Sequence, residues 1–152
     1  MHVGLRCSNL DYTIALMDGT KTNPTLLSTK TFSFPKNYGP AQRLKWLYRE
    51  LRDLTVRNSI SCIAIKGAEP LVRKTTAFVT RVEHEAIAFL VAADAGVRYV
   101  VRKTNSTIAK DLGLKGKAKY LSTSLDTTPI PQFVSLASKD QEAVLVAWSC
   151  LK

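Results

Sequence analysis

The sequence predicts one α/β domain built on a mixed five-stranded sheet, three antiparallel strands followed by two parallel ones, with helices flanking it. Three observations predict this. Residues 62–65 are apolar without a break, as a short strand buried on both faces of a sheet must be. Three strand-like segments precede that run with no room between them for a crossover helix, so they form an antiparallel meander. After the meander, segments of helical period alternate with short apolar strands, the pattern of parallel strands joined through right-handed crossovers.

The first strand covers residues 2–8, in which Val3, Gly4 and Leu5 precede a polar turn at Asn9 to Asp11. The second covers 12–17. Asp18-Gly19 and Asn23-Pro24 are turn signals leading to the third, at 26–34, where Phe32 and Phe34 share one face. Pro35 ends the meander, and Gly39-Pro40 opens a helix over 40–57 with proline in its first turn. Leu44, Leu47, Leu51 and Leu54 form its inward stripe, while Arg43, Lys45, Arg49 and Arg52 lie off it.

Asn58 stops that helix, and the central strand over 60–66 ends at Lys66-Gly67. A short basic loop over 70–77 carries Arg73 and Lys74. A second helix spans 79–95, with Val82, Ala86, Phe89, Leu90 and Ala93 on its apolar face and Gly96 as its stop. The last strand is expected at 98–101. Thr104 to Thr107 caps a short amphipathic helix carrying Ile108, Leu112 and Leu114. Residues 120–131 read as irregular, and Ser138 caps a closing helix over 139–151.

Composition narrows the function classes. The chain has 152 residues, 45% of them hydrophobic, and reads as a single domain over 1–152 with no repeat or low-complexity tract. No apolar run approaches the length of a membrane span, and the first residues lack a signal-peptide layout, so a cytoplasmic address is expected. Cys7, Cys62 and Cys150 are far apart and odd in number, which argues for inert thiols rather than a zinc site or a disulfide framework. There is no phosphate-loop spacing and no nucleophile elbow. His84 lies between Glu83 and Glu85, off the apolar stripe, and is expected to be exposed. With 22 Lys and Arg against 12 acids, the net charge of +10 favours an anionic partner.

The order of elements is that of the RNase H-like fold, and local sequence resembles its RuvC-like resolvase branch. His2-Val3-Gly4-Leu5-Arg6 is similar to the strand on which those proteins place a first catalytic Asp, and Cys62-Ile63-Ala64-Ile65-Lys66 to the strand that ends in a catalytic Glu. Gly116-Lys117-Ala118-Lys119 resembles a string in their central region, and Asp140-Gln141-Glu142-Ala143 the start of their closing helix. The likeness is nearest to small bacterial RNase H-like proteins whose first strand also lacks the Asp.

Carried over residue by residue, the resemblance puts the active-site positions at Arg6, Lys66, Asp140 and Glu142. The family's chemistry uses two Mg²⁺ or Mn²⁺ ions clamped by carboxylates. Cations at two of those positions repel such ions, so no metal site, cofactor or enzymatic activity is expected. Asp11 and Glu69 lie near the strand ends but in loops. The expected function is a catalytically inactive module that binds duplex or structured nucleic acid through Arg73, Lys74, Lys103, Lys110, Lys115, Lys117 and Lys119. The alternative is a protein-interaction or regulatory subunit on the same scaffold, with Trp46, Tyr48 or Phe89 as an exposed anchor and room for a homodimer.

Overall fold

The computed structural model describes residues 1–115 and 118–152. Five strands form one sheet: β1 (His2–Cys7), β2 (Asp11–Gly19), β3 (Pro24–Ser33), β4 (Cys62–Lys66) and β5 (Tyr99–Lys103), in the spatial order β3-β2-β1-β4-β5. The first three pair antiparallel, and β1, β4 and β5 run parallel, as the sequence predicts. The helices are α1 (Pro40–Arg57), α2 (Thr76–Asp94), α3 (Asn105–Asp111), α4 (Tyr120–Thr123) and α5 (Ser138–Trp148).

Strand alternation divides the core into two layers. Val3 and Leu5 of β1, Tyr12 and Ile14 of β2, and Ile63 and Ile65 of β4 face α1 and α2, where Leu47, Leu51, Ala88 and Val91 cover them. Tyr12 anchors this side, stacking on Phe32 with ring centroids 5.2 Å apart and meeting Trp46 edge-on. Trp46 therefore belongs to the core and is not an exposed anchor.

The alternate residues face α5. Ala15 and Met17 pack with Ala143, Val144, Ala147 and Trp148, and Cys62 and Ala64 with Val146 and Ile108. Gly4 lets α5 come close: a Cβ at that position would lie 1.9 Å from the carbonyl oxygen of Ala143.

Several elements differ from expectation in their extent. Helix α2 starts at Thr76, because the Thr75 hydroxyl accepts a hydrogen bond from the Phe78 amide and caps it earlier. Strand β5 runs on to Lys103, which pairs in register with Lys66. Residues 120–123, read as irregular, make one helical turn, and α5 ends at Trp148.

The buried face of α2 also differs. His84, Glu85, Ala88, Val91 and Ala92 point inward, whereas Val79, Phe89 and Leu90 are exposed. His84 is buried, not exposed: its ring packs against Phe34, and Nδ1 is 2.8 Å from the Ser8 carbonyl oxygen. Burial pushes its pKa down, only partly offset by that hydrogen bond.

Candidate functional site

The parallel strands end side by side. Leu5 is in register with Ile65, and Lys66 with Lys103, so Arg6, Lys66 and Lys103 form a row across β1, β4 and β5. Gly4, Ala64 and Val101, each two residues earlier, lie on the α5 side. The row shares that side, because side chains two apart on a strand share a face. Thr13, paired with Arg6 across β1 and β2, and Thr31, whose hydroxyl is 2.6 Å from that of Thr13, extend it with neutral groups.

Each cation of the row has its own acid. Arg6 Nε donates to Glu142 Oε2 at 2.7 Å, tying the end of β1 to α5. Lys66 Nζ donates to Glu69 Oε1 at 2.8 Å and to the Gly67 carbonyl at 2.7 Å, and its side chain is only 4% exposed. The same Glu69 oxygen accepts the Asn105 amide at the start of α3. Lys103 Nζ donates to Asp111 Oδ2 at 2.8 Å and to the carbonyl and hydroxyl oxygens of Ser149, both at 3.1 Å. Burying an ammonium without such partners would cost several kcal/mol, roughly.

The carboxylates nearby are engaged too. Asp11 accepts from Lys139 and from Ser8 Oγ. Burial works to raise its pKa, but those hydrogen bonds outweigh it, so the group sits below its ordinary value. Glu69 is likewise held low, hydrogen bonds from Lys66 and Asn105 overcoming burial. Asp140 lies in the first turn of α5, where a carboxylate meets the positive end of the helix. Glu85, 1% exposed on α2, is held between Arg81 at 2.8 Å and Arg102 at 2.9 Å. Arg81 Nη2 also donates to the Lys66 carbonyl oxygen at 2.7 Å, fixing the end of β4. The sequence reading missed this second ion cluster, although the Arg81–Glu85 spacing of one helical turn was its signal.

The residues present do not fit a pair of divalent metals. Hard cations need convergent carboxylates, and the row presents three positive side chains there instead. Among the described residues, no group of three or more His, Cys, Asp or Glu side chains could hold a metal ion.

The exposed cations expected to meet nucleic acid come from two segments of the chain. Arg73 and Lys74 are exposed in the loop that leaves β4 at the strand ends. The neighbouring Leu71 is 99% exposed. Helix α3 runs back from the end of β5 for seven residues, about 10 Å at helical rise, so Lys110 and Lys115 stand apart from that loop. Lys119, at the start of α4, lies over the Tyr120 ring at 5.3 Å. Lys103 is corrected: it is buried and neutralised, so it offers no ammonium to a ligand at the surface. Lys66, too, is held inside, by Glu69. Lys117 lies outside the described residues.

No protein-family model and no curated protein matches this chain. Solved structures do. RuvC of T. thermophilus in complex with a Holliday junction substrate superposes with a TM-score of 0.74 at 12% identity, over 97% of this chain and 90% of that one. The yeast mitochondrial Holliday junction resolvase Ydc2 gives 0.60 at 8% identity, over 97% of this chain and 77% of that one. The Fowlpox virus resolvase, solved with Holliday junction DNA, gives 0.51 at 11% identity, over 99% and 98%. The fold is therefore RuvC-like, of the RNase H-like class. These neighbours also overturn the expectation that the chain is not an enzyme: the proteins that share its fold are themselves resolvases, which points the other way.

Proposed function

We propose that this chain binds duplex or branched DNA, with phosphate contacts made by the exposed cations around the strand-end row rather than by the row itself. One observation carries the assignment. Arg6, Lys66 and Lys103 are each neutralised by an acid, whereas Arg73, Lys74, Lys110 and Lys115 are exposed and, among the described residues, pair with no carboxylate. The +10 charge of the chain is thus carried outside the row. Such contacts position a duplex without reading its sequence. Leu71, projecting beside Arg73 and Lys74, suits a wedge against unstacked bases, which a branch point supplies. The junction-bound neighbours support DNA as the nucleic acid and a branched form as the ligand.

The test is a titration of fluorescent four-way junction and linear duplex of equal length at several salt concentrations. Affinity that falls steeply with salt and is greater for the junction supports the reading. Retention independent of salt, or no binding at low salt, refutes it.

The same neighbours favour a second reading, cleavage of such DNA. The acids available to it are Asp140, Glu142, Glu69 and Asp11, the last three of which must first release their present partners. Incubating labelled junction with the wild type and with Glu142→Gln tests it: cleavage by the first and not by the second supports a role for that carboxylate.

A further inference from the structure

Two of the three cysteines meet at the far end of α5 from Glu142. Cys62 opens β4, is 2% exposed, and packs with Ala64, Ile108 and Val146. Cys150 follows the end of α5, lies against the same cluster, and is only half-buried. Both are free thiols, brought to one cluster by β4 and the chain after α5.

The charge around them is asymmetric. Lys103 reaches in from β5 and donates to both oxygens of Ser149, the residue before Cys150. The Ser149 hydroxyl lies 3.9 Å from Cys150 Sγ. Asp111 shares the Lys103 ammonium and opposes it. The balance lowers the pKa of Cys150, first through the neighbouring Cys62 thiol and then through the Lys103 ammonium, against burial. Cys62 is raised, by the neighbouring Cys150 and by burial. Thiolate character and solvent access, the two requirements for reaction with an oxidant, thus fall on the same sulfur.

We propose that Cys150 and Cys62 form a hydroperoxide-reactive thiol pair, in which Cys150 is the attacking sulfur and Cys62 the resolving one. The Cys150 thiolate attacks the terminal oxygen of a hydroperoxide. An S–O bond forms, the O–O bond breaks, and the departing alkoxide or hydroxide takes a proton from solvent. The Cys150 sulfur is now a sulfenic acid, and the peroxide is reduced to an alcohol or water. The Cys62 sulfur then attacks Cys150. The S–S bond forms, the S–O bond breaks, and the hydroxide leaves as water with the proton of Cys62. An external dithiol then reduces the Cys62–Cys150 disulfide by exchange, restoring both thiols and leaving as its own cyclic disulfide. The product ties the first residue of β4 to the chain after α5. Cys7 takes no part: it is fully buried on the α1 and α2 side, where burial above all raises its pKa.

The experiment uses the full reduced chain, hydrogen peroxide in slight excess, blocking with N-ethylmaleimide, and peptide mapping by mass spectrometry. The expected result is a 62–150 linked peptide, loss of two thiols and an intact Cys7. Cys62→Ser should accumulate a Cys150 sulfenic acid that dimedone traps, and Cys150→Ser should keep both remaining thiols at the same dose. The rate of iodoacetamide alkylation of Cys150 against pH should have its midpoint below the ordinary thiol value of about 8.5. Lys103→Met should move that midpoint up and Lys103→Arg restore it. If Lys103→Met does not fold, the cysteine variants and the wild-type profile still decide. A midpoint at or above the ordinary value, or oxidation with no 62–150 link, overturns the proposal.

Discussion

The Arg6–Glu142 pair is one of the contacts that fix α5 against the strand ends, and its strength follows from the geometry. The donor and acceptor atoms are 2.7 Å apart, and the side chains are 18% and 32% exposed. Charges about 4 Å apart attract by about 4 kcal/mol at an effective dielectric of about 20. Partial desolvation and ordering of two long side chains offset more than half of that. The net coupling should be about 1–2 kcal/mol, above the 0.2–1 kcal/mol or so of an open surface pair. In a double-mutant cycle with Arg6→Met, Glu142→Gln and the combination, each single change should cost about 2 kcal/mol, because it strands a half-buried partner. The combination should cost less than the sum of the two. Urea unfolding followed by circular dichroism measures the cycle, and each kcal/mol should appear as about 2–4 °C in Tm for a domain of this size. Additivity within about 0.3 kcal/mol would show that the two side chains do not sense each other, and the account of the strand-end row would fail.

Gly4→Ala should destabilise by about 3 kcal/mol or more, since the new methyl meets a helix carbonyl at 1.9 Å, which only displacement of α5 relieves; thermal unfolding reads it. Arg73→Gln with Lys74→Gln should reduce the slope of log affinity against log salt on duplex DNA by roughly 1.8, about 0.9 per lost phosphate contact, with Tm almost unchanged; an unaltered slope removes the loop from the interface. Stability should fall with acid. Asp11 and Glu69 have folded pKa values below their unfolded ones, so the unfolded chain binds more protons and the contribution, present above the ordinary carboxylate range of about 4, is lost as pH falls through the lower folded values. Asp11→Asn with Glu69→Gln should flatten that loss in urea titrations between about pH 5 and pH 2.

The fold was legible because its signals are local. Turn residues, a proline-opened helix and an unbroken apolar run marked the strands and their directions. The inward face of α2 was not. That helix is apolar on nearly every side, so periodicity alone picks out Val82, Phe89 and Leu90. The actual orientation is set by distant partners: Arg102 from β5 draws Glu85 inward, and Phe34 and the Ser8 carbonyl hold His84. Lys103 was misplaced for a related reason. Its strand ends two residues later than expected, and its acid, Asp111, stands on the next helix, a pairing that spacing does not reveal.

The sign of the strand-end row can be read in sequence, but its field cannot. Three cations in a line across β1, β4 and β5 suggest a strongly positive groove, the electrostatic inverse of a metal clamp. The acids that answer them come from three separate places, Glu142 on α5, Glu69 after β4 and Asp111 on α3. Three positive and three negative side chains leave the row without net charge. Its role at short range is to join the sheet to α5, the β4 loop and α3, while the long-range attraction for polyanions comes from the unpaired cations around it. Ionic strength should therefore act on the two differently. Screening weakens contacts at the exposed Arg73 and Lys74 long before it reaches the nearly enclosed Lys66 and Lys103 pairs. Salt that abolishes binding of DNA should leave the fold intact.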